Sequence, residues 1–218
     1  MLIESGSKLV MIGDSITDQE RGRPIGEGLW GAIGKGYVGY VEGILEVTYP
    51  QRRIRVVNMG CSGDTTRDLR KRWESDVLAL KPDWLSILIG INDVWRQFDT
   101  PLITENHVYL DEYVENLEYL VRTTRPQLKG LVIMTPYYME LNKKDPMRVM
   151  MDRYGQAAKE IAKKYDAITV DLQTTFDALG SHIHPCRIAW DMIHPNIAGN
   201  MVIARAFLQA VEYAWDGQ

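Results

Sequence analysis

The sequence predicts a doubly wound α/β fold, in which a parallel sheet is covered by helices on both faces. Two observations support this prediction: short apolar runs recur along the chain, and segments with helical periodicity separate them. Near-continuous apolar strands that alternate with helices are typical of a parallel sheet buried on both faces. Because crossovers in such sheets are right-handed, the expected architecture is a three-layer α/β/α sandwich.

Five apolar runs are predicted to be strands, and each is followed by a small or polar residue. In chain order they are residues 9–12, 54–57, 84–89, 130–134 and 167–170. The residues that follow them are Gly13, Asn58, Gly90, Thr135 and Asp171. In open parallel sheets, ligands bind at the edge formed by the carboxyl ends of the strands, so the loops after these runs are the first places to look for a site.

Two segments between the runs show helical spacing most clearly. One predicted apolar face consists of Tyr113, Leu117, Leu120 and Val121. The other consists of Ile197, Met201, Ala204, Leu208 and Val211. Both sets follow the three- and four-residue spacing that places side chains on one side of a helix.

The composition is that of a globular protein with one domain. The chain has 218 residues, of which 45% are hydrophobic and 25% charged, and we find no repeat or linker, so a single domain over residues 1–218 is expected. Its 25 basic and 29 acidic residues give a net charge of −4, which makes nucleic acid and anionic membranes poor candidates as partners. No apolar run approaches the roughly 20 residues of a membrane-spanning helix.

Two features favour a cytoplasmic location. Residues 1–8 lack a basic leader followed by an apolar stretch, so no signal peptide is expected. The two cysteines, Cys61 and Cys186, are too few for a disulfide framework, and free thiols suit a reducing compartment.

Two long loops interrupt the regular alternation. Residues 18–36 contain six glycines, and residues 136–147 contain Tyr137, Tyr138 and Pro146. Both follow the carboxyl end of a predicted strand, where long ordered loops are usually functional. For the glycine-rich loop, a surface excursion or a subunit contact is an equal alternative.

Ser15 is the candidate nucleophile. The first predicted strand leads directly into Gly13, Asp14 and Ser15, which places the hydroxyl at the end of the strand. Taken alone, this segment also fits a helix N-cap, a position that serine and aspartate favour.

A catalytic serine needs a histidine as base and a carboxylate that orients the histidine. Asp191 lies three residues before His194, a spacing that allows the two side chains to meet on one turn. His184 is also followed by proline, but it has Ser181 at the corresponding position. His182 and His184 lack the acidic or cysteine partners of a metal site, so no metal is predicted there.

Two further segments contain candidate donors for an oxyanion. Gly63 follows the second strand, where the lack of a side chain lets a backbone N–H approach a ligand. Asn92 follows the third strand, and its amide carries two protons. A tight turn at Gly63 and an Asx turn at Asn92 are the alternatives.

Together these segments resemble the four sequence blocks of the SGNH, or GDSL, hydrolases, in the family's order and across positions 13–195. The resemblance implies a flavodoxin-like sandwich with a five-stranded parallel sheet. It also implies that Ser15 is the nucleophile, His194 the base and Asp191 its orienting acid. The oxyanion hole would then comprise the backbone N–H of Ser15, that of Gly63 and the Asn92 side chain.

Segments 92–97, 107–113 and 145–148 are similar to intracellular acetylxylan esterases of bacilli. This similarity implies removal of acetyl groups from xylose oligomers, a homo-oligomeric enzyme, and no metal or organic cofactor. Five residues in the predicted site loops are candidates for substrate binding: Asp14, Trp95, Tyr137, Tyr138 and Trp190. For the four aromatic residues, core packing is the alternative. The remaining hypotheses are another ester hydrolase of the same fold, such as a lipase, a thioesterase or another carbohydrate acetylesterase, and a non-catalytic binding module.

Overall fold

The computed structural model describes residues 1–215, and its core is a single parallel sheet of five strands. The strand order is β2-β1-β3-β4-β5, and every neighbouring pair is parallel. This is the order of flavodoxin-like sheets, so the predicted fold class is confirmed. The last three residues of the predicted domain, 216–218, lie outside the described residues.

The strands match the five predicted runs to within one or two residues at either end. Their bounds are β1 Lys8–Gly13, β2 Arg55–Asn58, β3 Trp84–Leu88, β4 Gly130–Met134 and β5 Ile168–Val170. The central strands β3 and β4 are buried at every position, as expected for a sheet covered on both faces.

Within the described part of the chain, eight α-helices connect and cover the strands. Their bounds are α1 Ser15–Asp18, α2 Tyr37–Thr48, α3 Thr66–Trp73, α4 Ile91–Asp99, α5 Leu110–Thr124, α6 Pro146–Lys164, α7 Leu172–Gly180 and α8 Ile197–Ala210. Helix α8 packs against α2 and α7, whereas α5 packs against α3 and α6, and α4 packs against α6. These two groups form the outer layers of the sandwich. Within residues 1–215, every helix is too short or too polar to cross a bilayer.

The predicted apolar face of α5 is correct, because Tyr113, Leu117, Leu120 and Val121 are all buried. The predicted face of α8 is partly wrong. Ile197 is 77% exposed and Met201 is 40% exposed, although Ala204, Leu208 and Val211 are buried.

The buried face of α8 instead includes Gly199 and Asn200, and the polar side chain of Asn200 gives no apolar signal in the sequence. The Asn200 amide donates to the Pro195 carbonyl, and its oxygen accepts from the backbone N–H of Tyr37 at 2.9 Å. A side chain with both ends hydrogen-bonded can be buried at little cost, and this one joins the last helix to the second.

The ends of β1 and β3 lie unusually close together, which brings the loops that follow them into one place. Gly13 pairs with Leu88 in the sheet, and a Cβ at Gly13 would lie 2.2 Å from the Leu88 carbonyl oxygen. Only glycine avoids this clash with backbone. The loop that carries Ser15 and the helix that carries Asn92 therefore leave adjacent strands side by side.

Candidate active site

Ser15, His194 and Asp191 form a continuous hydrogen-bonded chain. The Ser15 Oγ lies 2.8 Å from Nε2 of His194, and the Nδ1 of His194 lies 2.5 Å from Oδ2 of Asp191. With Nδ1 protonated and bonded to the carboxylate, Nε2 is free to accept the serine proton. The arrangement can therefore activate a hydroxyl as a nucleophile.

Ser15 is held in place by the turn between β1 and α1. The Asp14 carboxylate caps the helix by accepting from the Ile16 N–H at 2.9 Å. Helix α1 is a single turn that ends at Asp18, and its C-cap residue Gln19 adopts a left-handed conformation with a φ of 41°. The N-cap interpretation of this segment thus applies to Asp14, and Ser15 is the first residue of the helix.

Asp191 and His194 belong to one tight turn. The Asp191 Oδ1 accepts hydrogen bonds from the backbone N–H groups of Ile193 and His194, at 3.0 and 2.7 Å. Met192 completes the turn with a φ of 65°. Burial opposes ionisation of Asp191, but the hydrogen bonds from the His194 ring and from the two backbone groups outweigh it and lower the pKa of this carboxyl. Asp191 is therefore an anion that can orient and stabilise the imidazole.

Asn92 and Gly63 lie beside the serine. Asn92 is in the first turn of α4, and its Nδ2 donates to the Asp64 carbonyl at 3.0 Å. Gly63 has a φ of 87°, which favours glycine. Both residues line an open cavity of about 400 Å³ together with Ser15, Trp95, Arg96 and His194. N–H donors beside a nucleophile–base pair are the arrangement that acyl transfer requires.

A comparison with known families identifies this arrangement. The sequence profile of the GDSL-like Lipase/Acylhydrolase family matches residues 11–202. The chain belongs to this family. As a member, it is a carboxylic ester hydrolase, and the SGNH resemblance seen in the sequence is confirmed.

Known proteins are similar to this chain over almost its whole length. An acetylxylan esterase of Geobacillus stearothermophilus is 54% identical over 99% of this chain and 98% of that protein. The crystal structure of Axe2, an acetylxylan esterase of the same organism, superposes with a TM-score of 0.97, over 99% of this chain and 98% of that chain. LAE5, an α/β hydrolase from the metagenome of Lake Arreo, is 50% identical with a TM-score of 0.96, over 98% of each chain.

Solved catalytic mutants of Axe2 include S15A, D191A and H194A. This chain has serine, aspartate and histidine at the same three numbers.

Two charged side chains that the sequence analysis missed hold the GDSL-family segments together. Asp18 accepts from both the N–H and the hydroxyl of Ser62, at 2.9 and 3.0 Å, and pairs with Arg23. Arg72 binds Asp64 and also donates to the Gly13 carbonyl at 3.1 Å. These contacts fix the Gly63 loop relative to the Ser15 turn.

Beneath the surface of the site lie two buried acids, Asp14 and Asp93. Burial raises the pKa of each to about 7. Asp93 accepts hydrogen bonds from the N–H and hydroxyl of Thr66, whereas Oδ2 of Asp14 has no partner among residues 1–215. A buried carboxyl without a full set of donors favours its protonated form.

Of the five candidate substrate-binding residues, the structure places Trp95 in the cavity, with its ring centroid 5.9 Å from that of His194. Asp14 and Tyr137 are fully buried, and the Tyr137 hydroxyl donates to the Ile193 carbonyl. Tyr138 is half-buried against Gln173, and Trp190 is 89% exposed outside the cavity. The placement of Tyr137 fits the packing alternative, and Asp14 is the N-cap of α1.

The glycine-rich loop divides into two parts. Its first residues, Gln19 and Glu20, line the cavity. The remainder packs on Asn58, whose amide donates to the carbonyls of Thr17 and Ile33. A Cβ at Gly34 would lie 2.8 Å from the Asp18 carbonyl oxygen, which explains the glycine at that position.

A larger cavity of about 470 Å³ is lined by residues of α2 and of the segment before β2, among them Glu42, Glu46 and Arg53. Among residues 1–215 its lining includes carboxylates and a guanidinium, whereas the smaller cavity contains the serine and the histidine. The choice of site therefore rests on these side chains and not on cavity volume.

Proposed function

We propose that this chain is a serine esterase that removes acetyl groups from acetylated xylo-oligosaccharides or similar sugars. The observation that carries the proposal is the chain of hydrogen bonds from Ser15 through His194 to Asp191, which opens into a cavity with amide donors. The 54% identity to an acetylxylan esterase over nearly the whole chain supports the choice of substrate.

The first half of the proposed reaction forms an acetyl-enzyme. Ser15 Oγ attacks the ester carbonyl carbon while Nε2 of His194 takes its proton. The carbonyl oxygen becomes an oxyanion that accepts from the backbone N–H groups of Ser15 and Gly63 and from Nδ2 of Asn92. The C–O bond to the sugar then breaks, and His194 gives its proton to the leaving sugar oxygen.

The second half repeats these steps with water. His194 takes a proton from a water molecule, whose oxygen attacks the acetyl carbonyl carbon. The bond to Ser15 Oγ then breaks, the serine recovers its proton from His194, and acetate leaves. Asp191 remains ionised throughout and stabilises the imidazolium that forms in each half.

The open cavity and the aromatic face of Trp95 support a sugar as the leaving group. A pocket shaped for a short acyl group cannot accept extra methylenes without strain. Rates on aryl esters are therefore expected to fall from acetyl to butanoyl and octanoyl.

The decisive experiment is mass spectrometry of products from a panel of acetylated xylose oligomers, in parallel with the aryl-ester series. Release of acetate from the sugars, unaffected by a chelator, is the expected result. A rate optimum at eight carbons or longer would move the assignment to a lipase or thioesterase. Failure of an active-site serine probe to label the folded protein would favour a non-catalytic binding module.

The proposal includes one domain over residues 1–218, a cytoplasmic location and a homo-oligomeric state. The single sheet supports one domain. The free thiols of Cys61 and Cys186 support a cytoplasmic location. The side chains of Leu29, Trp30 and Trp190 support a homo-oligomer, because they are among the most exposed apolar side chains of the described residues. Light scattering of the purified protein would measure its mass, and a monomer would contradict the oligomer.

A further inference from the structure

Asn92 is hydrogen-bonded at both ends of its side-chain amide. Its Nδ2 donates to the Asp64 carbonyl at 3.0 Å, and its Oδ1 accepts from Nη2 of Arg96, also at 3.0 Å. The side chain is 2% exposed, so bulk water does not replace either partner.

These two partners allow one orientation of the amide. If the amide were rotated by 180°, its two protons would face the guanidinium, which has donors only, and its oxygen would face the Asp64 carbonyl, which only accepts. In the observed orientation Nδ2 uses one proton on Asp64. The other proton takes part in no hydrogen bond among residues 1–215 and is available to a ligand in the cavity that Asn92 lines.

Arg96 is itself fixed in place. It lies one turn after Asn92 on α4, so the two side chains share a face of the helix. Its Nη1 pairs with the Asp99 carboxylate, and its Cζ lies 4.8 Å from the centroid of the Trp95 ring. Because the carboxylate and the aromatic ring already restrict the guanidinium, binding Asn92 costs Arg96 little additional conformational entropy.

We infer that Arg96 is a positioning residue, which orients the Asn92 amide and strengthens it as an oxyanion donor. Hydrogen bonding from a cation to Oδ1 draws electrons from the amide, which makes the remaining N–H a stronger donor. The inference rests on the proposed oxyanion role of Asn92. Arg96 need not touch the substrate to act in this way.

The test is a double-mutant cycle between Arg96→Met and Asn92→Ala, with kcat and KM measured on an aryl acetate. Arg96→Met is expected to lower kcat by about 5- to 50-fold, less than the roughly 10²- to 10³-fold cost of removing a donor, and to change KM by less than about twofold. In the Asn92→Ala background, the same substitution is expected to change kcat by less than about twofold, because there is no amide left to orient.

Arg70→Met is a matched control. Arg70 also donates to an asparagine oxygen, that of Asn116, at 3.0 Å, and it also pairs with a carboxylate and lies over an aromatic ring, but it does not line the cavity. Its loss is expected to leave kcat unchanged. Arg96→Lys keeps the positive charge but not the planar guanidinium group. It is expected to lower kcat less than Arg96→Met does, and to do so only in the protein that retains Asn92.

Three results would overturn the inference. Equal kcat losses from Arg96→Met in both backgrounds would show that Arg96 acts independently of Asn92. A rise in KM alone would make Arg96 a ground-state contact with the substrate. A wild-type kcat in Asn92→Ala would remove the oxyanion role of Asn92 and the inference with it. The proposed function is tested separately, by the turnover of Ser15→Ala and by the acyl-chain series, and neither of these readouts depends on Arg96.

Discussion

The Oγ of Ser15 lies 2.8 Å from the Nε2 of His194, although the two residues are 179 positions apart in the chain. The serine follows the first strand, whereas the histidine precedes the last helix. The hydrogen bond therefore depends on the whole sheet and on the packing of α8 against α2. Four substitutions test what this arrangement does.

Ser15→Ala is expected to fold normally and to lose about 10⁶-fold in kcat, because the nucleophile and base act as one unit. Thermal melting and acetate release together measure both properties. Ser181→Ala removes a hydroxyl that donates to the Ala178 carbonyl, and it is the matched control for a serine outside the cavity. Turnover by Ser15→Ala close to that of the control would rule out Ser15 as the nucleophile.

His194→Ala is expected to abolish acetate release and labelling by a serine-directed probe, because Ser15 loses the group that takes its proton. His184→Ala provides the comparison. His184 is exposed, and its Nδ1 lies 3.0 Å from the Cys186 sulfur, away from the serine. The opposite result, with His184→Ala inactive and His194→Ala active, would mean that the wrong histidine has been assigned.

Asn92→Ala is expected to lower kcat by roughly 10²- to 10³-fold, the usual cost of removing one oxyanion donor. The KM should change much less, because the donor is used mainly when charge develops on the carbonyl oxygen. Steady-state kinetics on an aryl acetate separate the two constants. An effect confined to KM would make Asn92 a ground-state contact with the sugar.

Asp14→Asn tests the buried acid beneath the serine through the pH dependence of stability. Burial raises the pKa of Asp14 to about 7 in the folded protein, whereas an unfolded aspartate has a pKa of about 3.9. Between these values the folded state holds a proton that the unfolded state has lost. The contribution of Asp14 to the free energy of unfolding is therefore fully present below the unfolded pKa of about 3.9. It falls as the pH rises towards the folded pKa of about 7, by at most about 1.4 kcal/mol per pH unit.

Urea denaturation at several pH values between 4 and 8 measures this slope. The slope is expected to be shallower in Asp14→Asn, which has no proton to lose, than in the wild type. The exposed Asp111→Asn serves as the control and should follow the wild type. Parallel curves for the wild type and Asp14→Asn would contradict a protonated Asp14.

The sequence was sufficient to predict the fold and the residues that end its strands. Gly13, Gly63 and Asn92 could be found because each follows an apolar run, and parallel strands bring such positions to one edge. No helix is predicted for residues 91–99, so the sequence does not bring Arg96 to Asn92, whose side chain it contacts from one turn later on α4. The contact of Asp18 with Ser62, 44 residues away, and that of Arg72 with Gly13, 59 residues away, could not be found either, because neither position carries a periodic signal.

Two neighbouring tyrosines show a further limit. Tyr137 and Tyr138 are equivalent candidates in the sequence, but the chain turns Tyr137 into the core, where its hydroxyl reaches the Ile193 carbonyl. The direction of a side chain in an irregular loop depends on distant contacts, and no local pattern encodes it. The exposed Ile197 on α8 has the same origin, because the partners of Asn200 set the rotation of that helix.

The backbone N–H of Leu2 donates to the Val211 carbonyl, so the two ends of the described chain meet in the folded protein. On the ribosome these two ends are made at very different times. Strand β1 lies inside the sheet, between β2 and β3, and His194 lies just before α8, the last helix within residues 1–215. At about 5–20 residues per second, roughly 10–35 s separate the addition of Ser15 from that of His194. A nascent chain thus carries the Ser15 hydroxyl for many seconds before His194 is added, so the pair can form only after nearly all of residues 1–215 have been made.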